Sequence, residues 1–147
     1  MLVRSVIAAL VVACGVSAVI AQSDPVTTRE NLMKENDRQA RIVVSMMRGQ
    51  SPFDSAAVDS VFAQWADTAQ KLPSLFPDNS KTGGDNRASP KIWENKKDFE
   101  AKIAEFGKAV ADNRAKAKAS LDGLKAAVAA VGKSCDDCHK DYRLSRR

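Results

Sequence analysis

The chemistry in this chain concentrates in one pentapeptide, Cys135-Asp136-Asp137-Cys138-His139. Two thiols three residues apart on a helix share a face, about one turn from each other. The imidazole of His139, four residues after Cys135, returns to that face. This is the C-x-x-C-H pattern of haem attachment. Each thiol can add to one vinyl group of the same porphyrin, giving two thioether bonds, and His139 can then meet the iron. A bare Cys-x-x-Cys also reads as a redox dithiol or as half of a zinc site. A thioredoxin-like dithiol expects a βαβ setting, and nothing in the chain reads as strands. A closed zinc site needs four ligands, yet His139 is the sole histidine and Cys14 the sole further cysteine. Haem attachment is the reading these residues favour.

The pentapeptide needs a helix, and the helix needs partners. A last helix starting near Ser120 carries Leu121, Leu124, Val128, Val131, Cys135, Cys138 and Tyr142 at steps of three and four. That spacing places the cysteines on its core-facing stripe. A first helix opens at Asp24-Pro25, with Asp as cap and Pro at the first helical position. It repeats Val26, Met33, Ala40, Val44 and Met47 before Gly49 and Pro52 stop it. A second begins at Asp54, with Val58, Val61, Phe62, Trp65, Ala69 and Leu72 on its apolar face, and ends at Pro73.

Residues 73–89, with Pro77, Gly83 and Gly84, read as the one long connection. Ser89-Pro90 then opens a third helix bearing Ile92, Phe99, Ile103, Phe106 and Val110. Four amphipathic helices, two short turns and one crossover predict an all-α fold, an antiparallel four-helix bundle. A haem tied to the C-terminal helix would lie inside it.

At 147 residues the chain suffices for one domain with a proper core. Residues 1–21 read as a cleaved export signal: Arg4, then an apolar run from Val6 to Ile20, then a small-residue cleavage site at Val19-Ile20-Ala21. Residues 22–147 are the expected mature domain. The run is short for a membrane span and lacks a stop-transfer flank, so no stable membrane insertion is expected after cleavage. Val12-Ala13-Cys14 is a faint match to a lipoprotein box, and the apolar run continues past it. Signal removal takes Cys14 with it and leaves no disulfide framework to build.

The formal charge of +5 falls to +4 without Arg4. Its basic residues are spread along helices rather than clustered, which argues against a nucleic-acid partner. A mildly basic rim could steer an acidic redox partner.

Several further stretches carry a family likeness. Tyr142-Arg143 follow the C-terminal CDDCH, and Arg48-Gly49-Gln50-Ser51-Pro52-Phe53-Asp54 stands between the first two helices. Leu72-Pro73-Ser74-Leu75-Phe76, Gly83-Gly84-Asp85 and Pro90-Lys91-Ile92-Trp93 add to it. Together they resemble the class II c-type cytochromes, the cytochrome c-prime family, over nearly the whole mature chain. Class I cytochromes c carry the haem motif near the N-terminus instead.

The resemblance implies one covalently attached haem c, bonded through Cys135 and Cys138, with His139 as proximal iron ligand. It puts Arg29 where the family bonds a haem propionate, and Asp85 at a position near the haem edge. Met33 falls over the open side of the iron. Five-coordinate relatives have leucine or another non-ligating side chain there, so Met33 is similar to the low-spin branch with a thioether as sixth ligand.

Other side chains have plainer readings. Met46 and Met47 read as core methionines, and Glu30 is expected to face water, since a carboxylate would repel propionates. Phe76, Trp93 and Trp65 could pack against the porphyrin or serve as core aromatics. Asp136 and Asp137 read as a solvated edge.

The function that follows is a periplasmic electron carrier cycling Fe(II)/Fe(III), not an enzyme, working with redox partner proteins as a monomer or homodimer. The alternative is a five-coordinate protein binding nitric oxide or carbon monoxide. A helical module using Cys135 and Cys138 as a dithiol is the third possibility.

Overall fold

The computed structural model describes residues 24–83 and 86–145. The expected signal at residues 1–21, Cys14 and Asp85 lie outside the described residues. Five helices follow in order: α1 (Pro25–Met47), α2 (Ser55–Lys71), a single turn α3 (Lys91–Glu94), α4 (Lys96–Ala119) and α5 (Leu121–Tyr142).

Each long helix begins or ends where side-chain chemistry dictates. The Asp24 carboxylate accepts from the Thr27 N–H at 2.9 Å and starts α1. Asp54 accepts from Ala56 and Ala57 N–H groups at 2.8 and 3.1 Å and starts α2. Gly49, at φ +70°, closes α1 in the left-handed conformation and donates to the Met46 carbonyl. Ser120, in an extended conformation, ends α4 and caps α5 by accepting from the Gly123 N–H at 3.0 Å. That turn closes so tightly that a Cβ at Gly123 would stand 2.2 Å from the Lys116 carbonyl oxygen.

The four long helices form a square. α1 packs on α2 and α5, and α4 packs on the same two. Neighbours run antiparallel: Asp59, near the start of α2, pairs with Arg114 and Lys118 near the end of α4, at 2.8 and 2.9 Å. Among the described residues the sole β pairing is an isolated bridge between Ala88 and Arg143. The all-α, antiparallel four-helix bundle is the fold expected.

The core divides into two apolar clusters. The larger centres on Val43, Val58, Phe62, Trp65, Val110 and Leu124. The smaller, at the crossover end, holds Leu72, Phe76, Ile92, Phe99, Ile103 and Tyr142. Phe62 and Leu124 are wholly out of water, and each such side chain stabilises the fold by about 1.5–3 kcal/mol.

Three local expectations change. The third helix is not continuous: Asn95, at φ −126° and ψ 49°, breaks it into α3 and α4. Asn competes poorly inside helices, and α3 is tied to its surroundings by the Trp93 indole Nε1–H, which donates to the Phe76 and Pro77 carbonyls. On α1 the core takes Val43 and Met46, leaving Val44 and Met47 only half-buried. The connection at residues 73–89 carries 3-10 turns, Leu72–Leu75 and Asp78–Ser80.

Asp59 gives the fold an acid-side test. Its hydrogen bonds from Arg114 and Lys118 lower the carboxyl from its ordinary 3.8 to about 2. A folded-state pKa below the unfolded value adds stability that is complete above the unfolded pKa and lost as pH falls through the folded one. Thermal melts followed by circular dichroism should therefore lose part of their midpoint between pH 3.8 and about 2. Asp59→Asn should flatten that part of the curve, and an unchanged slope would contradict the pairing.

Candidate haem site

The last two turns of α5 present Cys135 and Cys138 at the seam between the two clusters. Cys135 packs against the larger and Cys138 against the smaller. Both are free thiols. Burial pushes both thiols up, and Asp136 adds to this for Cys135; Cys138 reaches about 11. A redox dithiol works through a thiolate, which positive or polar surroundings favour. These surroundings do the opposite, so the dithiol reading has no support in the geometry.

His139 is half-buried beside them. Burial lowers its pKa first, and the positive charges of Arg143 and Arg87 push the same way against Asp136. The imidazole is therefore held neutral at pH 7, the form that ligates a metal. Among the described residues no three His, Cys, Asp or Glu side chains converge to hold a bare metal ion. An iron beside His139 must bring most of its donors with it, as a porphyrin does.

The end of α5 is anchored through Tyr142. Its phenol O–H donates to Asp98 Oδ2 of α4 at 2.5 Å. That bond, more than burial, pushes the phenol up to about 12. The Tyr142 ring begins an edge-on run: Phe99 at 5.2 Å between centroids, then Phe76 at 4.7 Å, then Trp93 at 6.1 Å. Phe76 and Trp93 thus line the Cys138 side of the bundle. Trp65 instead packs on Phe62 in the larger cluster.

On the neighbouring helix α1, Met33 packs half-buried against the same cluster as Cys138. Met46 and Met47 belong to the other cluster. Position, not residue type, separates the three.

One turn before Met33, Arg29 is 5% exposed. Its Nη1 donates to the Leu75 carbonyl at 2.8 Å and to Ser80 Oγ at 2.9 Å. Its Nη2 donates to the Ser80 carbonyl and to Asn86 Oδ1, each at 2.8 Å. The guanidinium also lies 4.7 Å from the centre of the Phe76 ring. Among the described residues no carboxylate pairs with it. Burial lowers its pKa, yet an arginine keeps its charge. The helix and the crossover are thereby clamped together around a buried cation held by neutral acceptors.

Glu30 departs from expectation. Its Oε2 lies 3.9 Å from Lys34 Nζ, but Oε1 is out of water and has no hydrogen-bond partner among the described residues. Asp136 is exposed as expected, and Asp137 pairs with Lys133 at 2.5 Å.

The clamp partners Ser80 and Asn86, and the Tyr142–Asp98 bond, had no signal in the sequence: each joins residues 44 or more apart. The donor set suits a covalently held porphyrin. Two thiols lie on apolar packing, a neutral imidazole stands next to them, a thioether stands on the neighbouring helix, and a buried cation lacks an anion.

Comparison with known proteins agrees. The family model described as Cytochrome C' matches residues 24–143. Cytochrome c-556 of Rhodopseudomonas palustris is 40% identical over 146 residues, 97% of each chain. Cytochrome c' of the same organism is 39% identical over 142 residues, 95% of this chain and 94% of that one. The solved structure of cytochrome c' from Rhodopseudomonas palustris superposes with a TM-score of 0.81 at 35% identity, covering 86% of this chain and all of that one. The chain therefore belongs to the cytochrome c-prime family, and its cofactor is one covalently attached haem c.

Proposed function

We propose that this protein is an exported electron carrier of the periplasm, its haem bonded through Cys135 and Cys138 and its iron held between His139 and Met33. The observation that carries the reading is the packing of Met33: α1 delivers its thioether to the apolar cluster that also receives Cys138 of α5. The two relatives from Rhodopseudomonas palustris, a cytochrome c-556 and a cytochrome c', are almost equally similar and do not choose between ligation states. Met33 does.

The bound haem supplies one-electron Fe(II)/Fe(III) exchange. His139 and Met33 shape that exchange. A soft thioether from Met33 would favour reduced iron, and the same two protein ligands in both redox states would leave little to rearrange when an electron arrives. The Tyr142–Asp98 bond holds the His139 turn of α5 in place. Arg29 positions α1 through its clamp and would offer its positive charge to a propionate; Asp85, which lies outside the described residues, keeps the role near the haem edge that the family resemblance implies. No residue is assigned a catalytic role. Among the described residues no helix is long and apolar enough to cross a membrane. Residues 1–21 as a cleaved signal and residues 22–147 as the working domain belong to the same proposal.

Absorption spectra of the protein expressed with haem-attachment machinery test this. Sharp low-spin α and β bands on reduction, a weak near-infrared band when oxidised and slow carbon monoxide uptake are expected. A broad high-spin spectrum with rapid uptake would make Met33 a pocket wall and the protein a binder of nitric oxide or carbon monoxide.

A further inference from the structure

The charges at the His139 end of the bundle gather around one depression. Most lysines and arginines of the helices sit within 4 Å of a carboxylate, generally one turn away on the same helix. Arg87, Lys140 and Arg143 have no such partner among the described residues. With Asp136, Leu144 and Ser145 they line an open cleft that His139 also borders.

The wall of this cleft is built rather than accidental. The Arg87 Nε and Nη2 donate to the Leu144 carbonyl at 3.1 and 2.7 Å, and the Leu144 N–H donates back to the Arg87 carbonyl at 2.8 Å. The Ser89 N–H donates to the Tyr142 carbonyl at 3.0 Å. The crossover thus grips the chain just past α5, holding the Leu144 side chain 45% exposed among three cations. Ile42, 38% exposed on α1, is the other large apolar side chain standing in water among the described residues.

We infer that this cleft is the face through which the protein exchanges electrons, and that its partner is a redox protein presenting acidic side chains around a small apolar centre. The inference rests on the electron-carrier reading above. Three cations against one carboxylate would orient an acidic surface at long range. Leu144 gives the encounter a desolvated centre. His139 lines the cleft and, as iron ligand, would connect it to the haem.

The test uses the haem-loaded, reduced protein and two inorganic oxidants, hexacyanoferrate(III), an anion, and tris(phenanthroline)cobalt(III), a cation. In each reaction one electron leaves iron(II), giving iron(III), and reduces the probe by one unit. At low salt the double variant Lys140→Glu with Arg143→Glu should slow hexacyanoferrate about tenfold and speed the cobalt complex. High salt should erase both effects. Arg48→Glu with Lys116→Glu makes the same change in net charge at the opposite end and should move either rate less than about twofold. Equal effects from the two double variants would overturn the inference, since net charge alone would then act.

An acidic blue-copper protein serves as the macromolecular probe. Leu144→Ser should slow its reaction while leaving hexacyanoferrate untouched, and an unaltered rate with the blue-copper protein would remove the apolar centre. Visible spectra of every variant report ligation separately. A high-spin spectrum in the unmodified protein would overturn Met33 as ligand, while the rate comparison would still decide the docking face.

Discussion

With Met33 ligating the iron as proposed, Met33→Leu should turn a low-spin, six-coordinate haem protein into a high-spin one that binds carbon monoxide readily. Leucine nearly matches methionine in volume and keeps the apolar cluster filled, so the bundle should lose under about 1.5 kcal/mol. The ligand equilibrium changes much more. On the proposed ligation, an external gas would have to wait in the wild type for the thioether to leave. If the open form is populated to about 1%, the variant's apparent carbon monoxide affinity rises about 100-fold.

The reduction potential should fall as well, because the ligand that favoured reduced iron has gone. Redox titration with a carbon monoxide titration on the same sample measures both. A variant spectrum identical to the wild type would show that sulfur never held the iron. Met46→Leu, in the other cluster, should leave spectrum and affinity unchanged.

Arg29→Ala should cost about 3 kcal/mol, because it removes charge-assisted hydrogen bonds and strands buried acceptors. For a domain of this size that corresponds to a midpoint lower by about 10 °C. The stranded groups are the carbonyls of Leu75 and Ser80 and the side chains of Ser80 and Asn86. Arg29→Lys keeps the charge but offers a point donor in place of a planar fork, so it should recover less than half of the loss. Melts of the haem-loaded forms measure the difference. A fully restored midpoint in the lysine variant would mean that charge alone, and not the four-acceptor clamp, holds α1 to the crossover. The two predictions read different things: Met33→Leu changes colour with little change in stability, and Arg29→Ala the reverse.

Much of this was legible in the chain because its signals are local. Caps at Asp24, Asp54 and Ser120 act within three residues of themselves, so they mark helix starts without reference to anything distant. The period of the apolar residues in α5 carried Cys135 and Cys138 onto the inner stripe, where they pack. Break points and register were harder. Asn95 interrupts what periodicity reads as one helix, because Trp93 and Ser89 are held by distant carbonyls. On α1, the choice of Val43 and Met46 over Val44 and Met47 follows from which face meets α2 and α5, a matter of about one residue in rotation.

The amino-acid sequence by itself determined the helices, their caps, the haem-attachment pentapeptide and the family likeness, since all of these depend on neighbours within a few turns. Only the tertiary structure decided which charges are spent and which are free. Arg29 is buried in a clamp of neutral acceptors, Glu30 Oε1 is left without a partner among the described residues, and Arg87, Lys140 and Arg143 meet around His139. The physical reason is range: capping and periodicity act along the chain, whereas desolvation and the pairing of charges depend on which segments the bundle brings side by side.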